Sequence, residues 1–512
     1  MSLALRLPPF AERPAHPPEI RPSRVAHWLT EASTREPGFA ARIMGEALSA
    51  TNRVGMSHAR RLALTEQYWK TAALLWPRLE HRFIRASHPL QADDLEAAKA
   101  ALTLATELAT AYKRLLAGEA SRRLRWGGPR RLVALVRRTF QATSRVLANS
   151  YLSYAPVPAH TWSDAHEIYM FTRERKIHRH AVTLDQPDIT LERLYTQSLL
   201  LALANPYGFL PSQLAMVLHY LQDNAQLAKL TPVPPVHRMA KAVAIVPVGH
   251  DFPPFSANKG GSAEGSKLFL LTFDLAFQLQ EQIRALEAGG TLPREAGNDA
   301  DARGRYVGLL KRLLRQWAIP PARQFNRLPS RARVVMCAGL PGVWHYSRGV
   351  KSGQATAAAD APPMTQCQVV NHTSGGYALR QIDPAPAALG VGDLIALRVE
   401  GRDGLQVAMV RWFRNTLASS MLEFGCELLS DSPEAAAAAA EDAPDSHLLP
   451  VLVLPEEADP EAPSPQLAAP AGAFALEQAV SLRRGGGSGF AVLTKLVEQG
   501  PGFDLYEFVA VS

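Results

Sequence analysis

The sequence predicts an α+β multi-domain protein: a helical N-terminal region of antiparallel helix pairs, a small antiparallel β-barrel, and a short β-rich C-terminal segment. Three observations lead there. From about residue 31 to 225, apolar residues recur at three- and four-residue steps, the period of a buried helix face. From about 328 the period drops to two, with Gly and Pro between short runs, as in a small barrel. Between 431 and 470 Ala, Pro and acidic residues dominate, the composition of a linker. At 512 residues there is room for roughly two to four domains.

Taken in order, residues 1–30 are rich in Pro and Arg and carry no period, which predicts a disordered tail. Residues 31–300 are mainly helical. The clearest helix runs from Asp93 to Leu116, where Leu95, Ala98, Leu102, Ala105, Ala109, Tyr112 and Leu116 share one face. Asp93 followed by Glu96 resembles a capping box, and Gly118 supplies a stop. The same reasoning gives helices near 57–76, 131–150, 190–204 and 212–223, the last opened by Ser212 as N-cap. The apolar runs KAVAIVPV (241–248) and KLFLLTF (267–273) predict a short strand pair around a Gly/Ser/Lys loop, followed by a helix over about 274–288. An amphipathic connecting helix occupies 301–320, with Tyr306, Leu309, Leu310, Leu313, Leu314 and Trp317 on one side and Pro320-Pro321 at its end. The barrel is expected over 321–430 and the linker over 431–470, around one apolar patch, LLPVLVLP. The β-rich segment fills 471–512.

Composition narrows the function classes. A hydrophobic fraction of 47% with 20% charged residues fits a soluble globular protein. No apolar run reaches the roughly 20 residues that span a bilayer; the richest, Leu199–Ala204, stops at Asn205-Pro206. Pro8 and Pro9 stand where a signal peptide needs its apolar core, so a cytoplasmic protein is expected. Cys337, Cys367 and Cys426 form no CxxC pair, which predicts buried reduced thiols. The net charge of +8 favours acidic partners without choosing among phosphates, nucleic acid and anionic lipid.

Two short patterns carry the chemistry. Arg323 and Arg327 stand four residues apart just before the barrel and can converge on one anion. Guanidinium suits the task because its planar fork donates two parallel hydrogen bonds to phosphate and stacks on a flat base. Alone, RxxxR reads as a solvated surface. The second pattern, Asn371-His372-Thr373-Ser374-Gly375-Gly376, bends the chain between two strands. Asn371 and Thr373 offer short hydrogen-bonding side chains, and Gly376 permits close backbone approach. Alone, it reads as an ordinary hairpin turn.

Together the two patterns resemble the PilZ family, whose signature is RxxxR at the entrance of a small barrel followed by [D/N]xSxxG on a barrel loop. The later runs VGDLIALRV, GLQVAMVRWFRN and MLEFGCELL fit the strands that follow. Thr373 stands where the family more often has Ser, keeping the hydroxyl, and residues 349–363 read as an inserted loop. The resemblance implies a bacterial, non-enzymatic second-messenger receptor that binds cyclic di-GMP and needs no other cofactor. Arg323 and Arg327 would grip phosphate and guanine; Asn371, Thr373 and Gly376 would line the other side of the base. It also implies a protein partner, of unknown identity, met through the helical region. The alternative is a scaffold or chaperone-like interaction protein whose barrel no longer binds nucleotide.

Other patterns read as structural. The stretch 260–267 places Ser between Gly265 and Lys267, unlike a phosphate loop, and suits a surface loop. His160, His166, Glu167, His178 and His180 lack metal-site spacing and read as surface histidines. Arg122, Arg123, Arg125, Arg130, Arg131, Arg137 and Arg138 read as a solvated helical face, and no recognisable module argues for nucleic acid. Lys311, Arg312 and Arg315 leave peripheral membrane contact open, with packing inside the protein favoured. No paired carboxylates or nucleophile elbow point to catalysis.

Overall fold

The structure is a computed structural model. It describes residues 3–11, 17–121, 128–181, 189–235, 242–257, 265–299, 301–318, 326–352, 361–383, 388–416, 421–441, 447–455, 464–485 and 487–511. The chain divides into two units, Met1–Ala86 with Leu90–Arg323, and Ser87–Pro89 with Gln324–Ser512.

The first unit holds ten α-helices among its described residues: α1 (Pro22–Ser33), α2 (Pro37–Asn52), α3 (His58–Arg85), α4 (Ala92–Ala120), α5 (Gly128–Leu152), α6 (Thr161–Glu174), α7 (Leu191–Leu203), α8 (Pro211–Asn224), α9 (Phe273–Glu287) and α10 (Ala302–Ala318). Helix α4 is its spine. Leu95, Ala98, Ala105, Ala109, Tyr112 and Leu116 are buried as their spacing predicts. Leu104, Leu108 and Leu115 are buried too, because α2, α3 and α5 all pack against α4 and leave little of it wet. Its N-terminus differs from expectation. Gln91 is the N-cap and makes no side-chain capping bond to the first turn, while Asp93 and Asp94 lie in the first turn, where a carboxylate faces the positive end of the helix dipole. Ser212 is likewise inside α8, which Leu210 caps while the Gln213 side chain accepts from the Leu210 amide at 3.1 Å.

The expected strand pair is a four-stranded sheet. Strands β1 (Lys229–Thr231), β2 (Val243–Val246), β3 (Phe255–Ser256) and β4 (Leu268–Leu271) run in the order β1-β4-β2-β3. The tail expectation for residues 1–30 is also revised for their described part, 3–11 and 17–30. α1 begins at Pro22, and the Ala4 and Arg6 amides donate to Glu167 and Asp164 of α6 at 3.3 and 3.1 Å. Arg114 lies 4.2 Å over the Phe10 ring. A segment without a period of its own is thus held by backbone bonds to side chains elsewhere, which local pattern does not reveal.

The second unit contains two antiparallel barrels. The first uses β6 (Arg333–Ala338), β7 (Thr365–Thr373), β8 (Gly376–Gln381), β9 (Leu394–Val399), β10 (Gln406–Thr416) and β11 (Met421–Ser430), in the order β7-β6-β9-β10-β11-β8. The β7–β8 pairing closes it, and short β5 (Leu328–Pro329) adds to β7. Between β6 and β7 the expected inserted loop is partly helical, as α11 (Leu340–Ser352).

The second barrel closes as β12-β13-β14-β17-β16-β15, from β12 (Glu434–Ala440), β13 (Leu449–Leu454), β14 (Gln466–Pro470), β15 (Ala479–Arg484), β16 (Gly487–Gln499) and β17 (Phe503–Val511). Residues 431–470 are therefore not simply a linker: they supply three of its strands. The alanine run is β12, paired with β13 on one side and β15 on the other. Ala has weak strand propensity, but two neighbouring strands fix its backbone. Ala436 and Ala438 turn inward among Val451, Leu467, Val480 and Tyr506. Helix α11 joins the barrels. Leu340 and Val343 share one core with Leu394, Val407 and Met409 of the first barrel and Leu452, Phe503 and Leu505 of the second. Trp344 adds an indole N–H donated to the Ala436 carbonyl at 2.7 Å.

Candidate functional site

Strand β5 decides the site. It pairs antiparallel with the end of β7, Leu328 opposite His372 and Pro329 opposite Asn371. Continued by one residue, that register would set Arg327 opposite Thr373. Residues opposite one another share a face of the sheet. On β7 and β8, His372 pairs with Tyr377 and their rings lie 6.3 Å apart; the buried Tyr377 hydroxyl donates to Gln406 at 2.8 Å. On β7 and β8 that face is the interior, so Asn371 and Thr373 belong to the outer face, together with Ala378 and Gly376 opposite them, while Leu328 of β5 is exposed although it stands opposite His372. Arg327 is exposed there, and among the described residues it makes no ion pair. Arg323 lies outside the described residues, so only one arm of RxxxR is placed.

Gly376 is the tightest point of the turn. A Cβ there would drive into the Cys426 carbonyl oxygen of β11. The bend closes further where the Leu428 amide donates to the Gly375 carbonyl at 3.0 Å. Glycine is thus required at this position by the approach of β8 to β11 where the hairpin turns.

The register also recruits a residue that motif reading missed. Trp412 pairs with Gly425, Gly425 with Ala378, Ala378 with Asn371 and Asn371 with Pro329. This row crosses the outer face of β10, β11, β8, β7 and β5. The half-buried indole of Trp412 lies against Gly425, filling the space of a side chain there. A flat ring therefore borders the floor formed by Gly425 and Ala378, with Asn371 on its far side. Trp412 has this place because β10 bulges between Val410 and Trp412, which puts Arg411 and Trp412 together on one side. A lone Trp in a strand-like run carries no such signal in sequence.

Electrostatically the face is cationic but crossed by internal pairs. Arg331 and Arg333 are exposed, and the Arg333 amide donates to Glu400 at 3.1 Å. In the next row Arg380 donates to Glu423 at 2.8 Å, so this cation is committed. Burial raises the Tyr377 phenol above its ordinary pKa, which keeps it a donor inside the barrel. The three cysteines are free and buried, and burial pushes the Cys367 and Cys426 thiols up to about 12. A face with unpaired guanidinium, short polar side chains, small residues and a flat indole suits a planar, anionic ligand. Among the described residues no cluster of three metal-ligating side chains occurs.

The other sequence candidates resolve differently. His166 is fully buried rather than on the surface. Its Nδ1 lies 2.6 Å from the Tyr195 hydroxyl and its Nε2 2.9 Å from the Phe252 carbonyl, so Nε2 carries the proton and Nδ1 accepts. Burial depresses its pKa to about 4. Residues 122–127 and 258–264, which include Arg122, Arg123 and Arg125 and most of the glycine-rich stretch, lie outside the described residues. Arg137 and Arg138 are buried rather than solvated; Arg138 donates to Glu66 at 3.2 Å and lies 5.1 Å over Trp69. On α10, Lys311 pairs with Glu287 at 2.7 Å and Arg312 donates to Gln213 at 3.2 Å, so both engage their own unit. No helix among the described residues is long and apolar enough to cross a membrane.

Comparison with known proteins agrees with this architecture. Residues 23–235 match the family described as "Cyclic-di-GMP receptor FimW, N-terminal domain". Residues 349–435 match "Cyclic-di-GMP receptor FimW, middle PilZ domain", and residues 435–511 match "FimW C-terminal beta-barrel domain". A curated relative, the cyclic-di-GMP receptor FimW of Pseudomonas aeruginosa, is 23% identical over 504 residues, covering 84% of this chain and 81% of its own length. The matched middle segment contains Asn371, Thr373 and Gly376 and begins after Arg327.

Proposed function

We propose, on the premise that this chain carries a PilZ domain within a helix–barrel–barrel arrangement like that of FimW, that it is a receptor for cyclic di-GMP. The observation that supports the reading is the β5–β7 pairing, Leu328 with His372 and Pro329 with Asn371, whose continuation would set Arg327 opposite Thr373. Arg327 and Arg323 grip phosphate and guanine, Asn371 and Thr373 hydrogen-bond a base edge, and Gly376 lets the backbone come close. Trp412 supplies a stacking surface across the same row.

The protein acts by binding, without catalysis and without a further cofactor. Occupancy biases the conformation of a partner surface on the helical region, which relays the second-messenger level to a protein partner. The three buried, unpaired thiols support a reducing, cytoplasmic setting. The test is calorimetric titration of the purified chain with cyclic di-GMP, with GTP as control. Saturable one-site binding of the cyclic dinucleotide alone is expected, and its absence refutes the reading.

A further inference from the structure

The second barrel shares a charged contact with the border of the proposed site. Arg411 is the extra residue of the β10 bulge, between Val410 and Trp412. Its Nε donates to Glu427 of β11 at 2.5 Å, and its Nη1 donates to Glu498 of β16, in the second barrel, at 3.0 Å. Glu427 is the residue paired with Gly376. Glu498 itself follows a bulge, between Leu496 and Glu498. Irregular points of two barrels therefore meet on one guanidinium.

We infer that Glu498 is a positioning residue for the nucleotide site: by clamping Arg411 it fixes the β10 bulge and Glu427, and so the Trp412 indole and the Gly376 turn. This rests on the cyclic di-GMP reading above. A bulge leaves its extra residue outside the strand ladder and re-aims the side chains around it. Its conformation then depends on what those side chains hold. Arg411 has two acceptors, one on each barrel, and with both in place its stem cannot swing without breaking a charge-assisted bond. Trp412, the next residue, has its orientation set by the same backbone. Glu498 belongs to none of the paired rows that form the ligand face, so it acts through Arg411 alone. Whatever displaces β16 is thereby coupled to nucleotide affinity, and linkage makes that coupling reciprocal.

The test uses the full chain with Glu498→Gln, Glu498→Asp and, as a control, Glu507→Gln, which breaks a different pair of the second barrel, Lys495–Glu507 at 2.8 Å. Two quantities are read: the dissociation constant for cyclic di-GMP by calorimetry, and hydrogen exchange of peptides covering 371–378 and 424–430 without ligand. Glu498→Gln weakens binding by about two- to fivefold and speeds exchange by a similar factor, the scale of one partly exposed charge pair. Glu498→Asp stays within about twofold of wild type, and Glu507→Gln matches it. Wild-type affinity and wild-type exchange in Glu498→Gln overturn the inference and leave the receptor reading standing. A wild-type chain that binds no cyclic di-GMP refutes both.

Discussion

Removing the Arg327 guanidinium separates recognition from folding more cleanly than any other change. Arg327 is exposed, makes no ion pair among the described residues, and precedes a two-residue strand whose side chains are exposed as well. Truncation to Ala therefore leaves stability within about 0.5 kcal/mol of wild type, as for surface positions generally. Binding loses at least one charge-assisted hydrogen bond, a contribution of about 1.5–3 kcal/mol. That corresponds to a dissociation constant weaker by about tenfold to a hundredfold. Arg327→Lys keeps the charge and loses the planar fork, so it falls between the two. Calorimetry gives the affinities, and a thermal melt with and without cyclic di-GMP gives an independent check, because ligand stabilisation scales with occupancy of the folded state. Wild-type affinity in Arg327→Ala refutes the site. An affinity loss accompanied by an equal loss of ligand-free stability refutes the claim that Arg327 acts on the ligand.

Other expectations follow from the same geometry. Gly376→Ala forces a methyl into the Cys426 carbonyl, so ligand-free stability falls by about 3 kcal/mol in chemical denaturation and binding is lost; a stable, binding variant contradicts the close approach. Trp412→Ala removes the flat ring and weakens cyclic di-GMP by about 1–3 kcal/mol, while Trp412→Phe keeps most of the affinity; equal loss in both argues against stacking. Deleting residues 434–512 bares Leu394, Val407 and Met409, which pack against the second barrel, and yields aggregated protein on size-exclusion chromatography; a soluble, cooperatively folding remainder contradicts the shared core.

Acidification tests His166. Its folded pKa of about 4 lies below the ordinary 6.5 because burial penalises the cation. As pH falls from about 6.5 to 4 the unfolded chain takes up a proton that the folded one refuses. Stability therefore declines across that window, by about 3 kcal/mol at most. Urea midpoints of wild type and His166→Phe measured between pH 7 and 4 show a shallower decline in the variant; parallel curves refute the assignment.

Local pattern and tertiary context divided the work unevenly. Asn371, Thr373 and Gly376 are legible in sequence because a hairpin turn is contiguous, and its short polar side chains and glycine follow from the geometry of one bend. The α4 face is legible for a similar reason: the helix repeats its environment every turn. Arg327 is legible only as half of a motif. Its approach to β7 follows from the two paired residues of β5 that come after it, too few to register as a strand in sequence.

What only the folded chain decided is everything that strand pairing brings together across long separations. Trp412 joins Asn371 through Gly425 and Ala378, and Arg411 meets Glu427 and Glu498, because bulges and register align them. The alanine run has a linker's composition but becomes a strand because β13 and β15 pair with both of its edges. His166 has a surface residue's composition but is sealed by Tyr195 and the Phe252 carbonyl. Sequence by itself determined the elements with their own periodicity and the turn with its own chemistry. The second barrel, the place of the Trp412 ring and the Arg411 contact between barrels depended on partners distant along the chain, since hydrogen-bonded register and burial belong to pairs of segments and not to either one alone.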